Sequence, residues 1–161
     1  MSIIVEDGTG KADAETYVSV AVADAYHAAM GNTGWTGTDD AKEVALRRAA
    51  QYIDNRYRFR GERLTSTQAL EWPRVNYELG WRVEGWPVKA LADATCEAAL
   101  RALTAKLQTD TKADQLTEQT IGPITQKWAS KTGQMRYPVV DSLLQSYSAS
   151  GPSSMRIERT S

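Results

Sequence analysis

The stretch from Pro87 to Gln108 constrains the fold most, because at the helical repeat it is apolar on two sides. Ala92, Cys96, Ala99, Leu100, Leu103 and Leu107 line one face, while Leu91, Ala94, Ala98, Ala102 and Ala105 line a second, made mostly of small residues. Only Asp93, Glu97, Arg101, Thr104 and Gln108 separate the two as a polar strip. A helix patterned in this way needs cover over well over half its circumference. Either it runs through the centre of the domain, or its small-residue face packs on a neighbouring subunit, which makes Leu91, Ala94, Ala98, Ala102 and Ala105 candidate interface residues. Pro87 suits the first turn, where its missing N–H costs no hydrogen bond.

Two further helices precede it. Ser19 can cap one that runs through Met30 and stops at Gly31, with Val22, Tyr26 and Met30 on one face at i, i+4 and i+8. Thr38 or Asp39 can cap the next, which runs to about Tyr57 with Leu46, Ala49, Ala50, Ile53 and Tyr57 as its apolar stripe. Glu43 with Arg47 and Asp54 with Arg58 are i, i+4 pairs on its flank. Residues 1–18 read as an extended arm interrupted by Gly8 and Gly10. Residues 59–86 hold no sustained period and read as an ordered loop pinned by aromatic rings, with extended backbone before Pro73 and Pro87.

After Thr109 the chain turns polar. Residues 119–129 predict an extended arm or irregular hairpin broken by Gly122-Pro123, residues 138–147 a short amphipathic helix, and residues 148–154 a flexible joint. Ile121, Ile124, Trp128, Met155 and Ile157 sit in apolar elements too short to fold alone, so they are the candidate partner-binding arm. The expected architecture is mainly α, a small bundle of three principal helices plus a short C-terminal one, with extended arms at both ends. A helical core with its N-terminal arm spans 1–110, and a C-terminal extension spans 111–161.

Composition removes most chemistry. One histidine, His27, rules out a multi-histidine metal site, and one cysteine, Cys96, rules out an internal disulfide and a cysteine zinc site. A reducing site of synthesis follows from that count. Met1 to Asp7 carries no signal-type apolar run, and no stretch is long enough to span a membrane, so a soluble chain with no membrane partner is expected. Gly8-Thr9-Gly10-Lys11 lacks the earlier glycine of a phosphate loop, and Ala12 stands where a hydroxyl residue would hold magnesium. Gly31, Gly34 and Gly37 follow no strand, and Asp39, Asp40 and Glu43 are explained as helix-start residues. No catalytic residue, metal ligand or cofactor is expected, and the chain reads as a non-enzyme.

One constellation remains. Arg56, Arg58, Arg60, Arg63 and Arg74 interleave with Tyr57, Phe59 and Trp72. Such alternation can track a nucleic-acid backbone and stack its bases, and it also suits a protein interface or a solvated face. Because Lys+Arg number 19 against Asp+Glu 20, any nucleic-acid contact must be local.

Several runs form one pattern: Ile3-Ile4-Val5-Glu6-Asp7-Gly8-Thr9-Gly10, Ala14-Glu15-Thr16-Tyr17-Val18-Ser19-Val20, Ala45-Leu46-Arg47-Arg48-Ala49, Tyr52-Ile53-Asp54, and Ser66-Thr67-Gln68-Ala69-Leu70-Glu71-Trp72-Pro73-Arg74. Over residues 1 to about 108 they resemble the head-tail connector, or adaptor, proteins of tailed bacteriophages, a family often labelled DnaT-like single-stranded-DNA-binding proteins. The resemblance implies a virion neck subunit that forms a homo-oligomeric ring of twelve copies and joins the portal protein to a downstream neck or tail protein. In that setting Arg56, Arg58, Arg60, Arg63 and Arg74 would face double-stranded DNA in the channel or a partner. The rival reading takes the label literally, as a single-stranded-DNA-binding replication accessory protein acting through the same segment.

Overall fold

The computed structural model describes residues 3–76, 81–82, 86, 88–107, 118–121, 124–127 and 137–149. Four helices dominate: α1 (Val20–Met30), α2 (Asp39–Arg56), α3 (Lys89–Thr104) and α4 (Pro138–Leu144). Three short strands, β1 (Glu62–Arg63), β2 (Arg74–Asn76) and β3 (Trp81–Arg82), form an antiparallel sheet in that order, and β4 (Glu118–Ile121) pairs antiparallel with β5 (Ile124–Lys127). The expected mainly helical class with a C-terminal hairpin is the observed one. The small sheet inside 59–86 was not expected, because strands of two or three residues leave no period to read.

Capping sets the helix starts. Ser19 Oγ accepts from the Val22 amide, Thr38 Oγ1 accepts from the Ala41 amide, and Gly31 closes α1 at φ 68°, a conformation open to glycine at no Cβ cost. The buried side of α1 is Ala23 and His27, whereas Val22 and Met30 face solvent, so of the face predicted from apolar spacing only Tyr26 packs on the core. His27 is accommodated by hydrogen bonding: Nε2 lies 3.2 Å from the Cys96 carbonyl and Nδ1 3.0 Å from Asn32 Nδ2. Desolvation holds its pKa below the ordinary value, in keeping with a neutral ring.

α3 is the hub, touching α1, α2 and α4. Leu91, Ala94, Ala98 and Ala102 are fully covered by this same chain, and Leu46, Ala49, Ala50 and Ile53 of α2 join them in the core. The helix is therefore the central one, and its small-residue face is used within the subunit. Ala105 stands exposed just past the end of α3, so it belongs to no such face, and Leu103 is only half-buried. The polar strip closes by pairing: Glu97 accepts from Tyr26 Oη at 3.0 Å and from Arg101 at 2.7 Å.

Two expected arms fold back instead. In the first, Ala14, Tyr17 and Val18 are buried, and Glu6 is 1 % exposed with its carboxylate accepting the Gly8, Gly10 and Lys11 amides at 2.8–2.9 Å. The Gly8-Thr9-Gly10-Lys11 turn thus cradles an anion that the chain itself supplies. Gly8 sits at φ 95° with room for no side chain, since a Cβ there would lie 2.8 Å from Trp86 Cβ. In the second, α4 buries Val140 and Leu144 against α3, and Ser148 bridges to Phe59. A line of rings, Tyr57 to Phe59 to Trp72 to Tyr147, carries the contact from the end of α2 to the end of α4 at centroid spacings of 6.3, 5.6 and 5.7 Å. Residues 137–149 thereby share the core formed by the helices and the buried rings of residues 3–76 and 88–107.

Candidate nucleic-acid interface

The arginine-aromatic segment begins where α2 stops. Tyr57 leaves the helix with extended backbone, at φ −105° and ψ 138°, and its N–H closes the last turn on Ile53. From there alternation governs: Phe59 points into the core at 6 % exposure, and Arg58 and Arg60 point out. The Arg60 amide donates to the Tyr147 carbonyl at 3.0 Å, and the Ala149 amide donates to the Arg58 carbonyl at 2.6 Å. That pairing fixes the strand-like path and hence the direction of both arginines.

Gly61, at φ 78°, then turns the chain into β1, where Arg63 is exposed. Arg74, opposite Arg63 in the β1–β2 register, fills the inside of this turn. Its guanidinium donates to the Arg60 and Gly61 carbonyls and, at 2.7 Å, to the Glu71 carboxylate. Glu71 also accepts from Arg63 at 2.6 Å, so one carboxylate bridges two guanidinium groups. Arg56 lies half-buried in the last turn of α2, where a cation complements the helix dipole.

Of the five arginines singled out by the sequence, Arg58, Arg60 and Arg63 thus reach the surface together, while Arg56 and Arg74 are structural. Tyr57, Phe59 and Trp72 are not stacking platforms. Trp72 is 3 % exposed, and Tyr57 donates to Asp141 at 2.6 Å from a half-buried position. Basic and aromatic residues alternate because one side of an extended segment faces the core and the other faces water.

The sequence placed Asp54 only in a helix-flank pair with Arg58. Its predicted partner Arg58 has left the helix, and the Asp54 carboxylate instead accepts from Tyr17 Oη and, at 3.1 Å, from the Glu71 amide. Desolvation there pushes its pKa up to about 6, against the pull of those two donors. Cys96 is buried in α3, and burial pushes its thiol up to about 12. Among the described residues no group of three His, Cys, Asp or Glu side chains is placed to hold a metal ion, and no helix is long and apolar enough to cross a membrane.

Of the candidate partner-binding residues, Ile121 and Ile124 face each other in the backbone register of β4 and β5, and Trp128, Met155 and Ile157 lie outside the described residues.

No curated protein and no solved structure matches the chain. A family model does, over residues 1–160, and its description reads "Putative DnaT-like ssDNA binding protein". This overturns the head-tail connector resemblance, which stopped near residue 108 and took that description for a mere label. The portal protein, the neck or tail protein and the twelve-copy ring go with it. Matched almost from end to end, the chain belongs to the DnaT-like ssDNA binding protein family described in that model.

Proposed function

We propose that the protein is a non-catalytic module that binds single-stranded DNA by its phosphate backbone through Arg58, Arg60 and Arg63. The family match supports single-strand binding as the activity, and the exposure of Arg58, Arg60 and Arg63 favours this segment as the contact. Three guanidinium groups stand on one short stretch, braced from behind by Arg74 and by the end of α4. Phosphate contact needs only such an ordered row of cations and reads no sequence. Base stacking by Tyr57, Phe59 or Trp72 forms no part of the proposal, because those rings belong to the core.

The test is titration of a labelled oligo-dT strand by fluorescence anisotropy across salt concentrations. Single strands give a slope of log K against log salt of roughly −0.7 for each phosphate neutralised, so three contacts predict about −2, or about a twentyfold loss from 50 to 200 mM salt. Arg58→Gln should flatten the slope by about 0.7. Binding indifferent to salt, or unchanged in Arg58→Gln with the fold intact, sinks the proposal.

A further inference from the structure

The three surface arginines do not stand in equivalent surroundings. Arg58 makes no side-chain hydrogen bond or ion pair among the described residues. Arg60 donates from Nε to a backbone oxygen, that of Ser148 at 3.0 Å, and has no carboxylate partner among the described residues. Arg63 alone is paired with an anion, the Glu71 carboxylate at 2.6 Å. Glu71 is itself held firmly: its amide donates to Asp54, its carbonyl accepts from Arg74 at 3.3 Å, and its second carboxylate oxygen accepts from Arg74 at 2.7 Å. The carboxylate therefore stays beside the arginine row whatever Arg63 does.

We infer that Glu71 is an intramolecular competitor of the DNA phosphate for Arg63, and so sets the affinity of the site below what its three arginines could deliver. This rests on the single-stranded-DNA reading above and adds a regulator to it. A phosphate approaching Arg58 and Arg60 meets free cations. At Arg63 it must displace an ion pair already formed, so the third contact is gained only in exchange for that pair. The pair is partly solvated, with side-chain exposures of 39 % and 30 %, which makes the exchange feasible and its cost modest. Glu71 acts through Arg63 and is a positioning residue; it does not touch DNA.

Removing the competing charge as Glu71→Gln should raise oligo-dT affinity at 50 mM salt by about two- to fivefold, the size of one partly exposed ion pair. In an Arg63→Gln background the same change should do nothing, because the group competed for is gone. A gain that persists there would come from Arg74 and the turn it braces, and would overturn the inference. So would a Glu71→Gln protein that is folded and binds no better than wild type. Should Glu71→Gln fail to fold, the comparison of two other variants decides. Arg63→Gln should lose less affinity than Arg58→Gln, since only the Arg63 contact is offset by a lost pair, and equal losses refute the competition. If wild type shows no salt-dependent binding at all, the single-stranded-DNA reading falls and this inference with it. Binding with an indifferent Glu71 overturns only the latter.

Discussion

Leu144→Ala tests whether the C-terminal helix belongs to the core. Leu144 is 1 % exposed and packs in the cluster formed by α3 and the end of α2, at the far side of a chain segment that reads as an appendage in sequence. Truncating a buried leucine removes its transfer free energy and leaves a cavity, at a cost of about 2–5 kcal/mol. With a urea dependence of about 2 kcal/mol per molar for a domain of this size, the midpoint should fall by about 1–2.5 M. Val139, five residues earlier on the same helix and 45 % exposed, provides the control, and Val139→Ala should move the midpoint by no more than about 0.3 M. The assay is equilibrium urea unfolding followed by far-ultraviolet circular dichroism and tryptophan fluorescence. Deletion from residue 137 onwards should do more damage still, since it also strips Val140 and the Asp141 acceptor of Tyr57. A midpoint unchanged by Leu144→Ala, or a deletion that unfolds like the full chain, would show that residues 3–107 make a complete core and that α4 merely rests on it.

Asp54 should tie stability to pH. Its folded pKa of about 6 lies above the ordinary 3.8, so the native state holds the proton more tightly and stability falls as pH rises from about 4 through 6, by on the order of 3 kcal/mol. Asp54→Asn should remove that slope in thermal melts between pH 4 and 7, and a slope that survives would place its origin elsewhere. Cys96, buried with its thiol pushed up to about 12, should resist a thiol reagent at pH 8 until urea unfolds the chain; labelling of the native protein within minutes would contradict its burial.

What the sequence made legible follows from periodicity and caps. Ser19, Thr38 and Gly31 are signals whose physics is local, and α1 and α2 begin, and α1 ends, where those signals put them. The two-sided pattern of α3 correctly implied cover on both sides but left its source open, because the same alanines suit a neighbouring helix of the same chain or of another. What escaped was long-range. Asp54 held by Tyr17 and Glu71, and Tyr57 donating to Asp141 across 84 residues, both depend on the assembled fold. No period or spacing encodes such pairs.

The arginine-aromatic segment joins both lessons. In an extended strand whose one side is buried, alternation of a basic and an aromatic residue is what any half-buried edge requires, and it carries no information about stacked bases. The information lies in which polar residue was used on the outer side. A solvated face tolerates lysine, glutamate, serine or glutamine equally well, yet positions 58, 60 and 63 are all arginine, with Glu62 the one acidic residue among the outward positions between them. Arginine is also the cation that best meets a phosphate, since its planar fork can give two parallel hydrogen bonds. On the proposed reading the same segment does two jobs without conflict: its inner rings pack between the ends of α2 and α4, and its outer side presents Arg58, Arg60 and Arg63 to solvent. Loosening the ring line, as Phe59→Ala would, should then weaken DNA binding without touching any cation, because a row that wanders loses the order that made three contacts better than one.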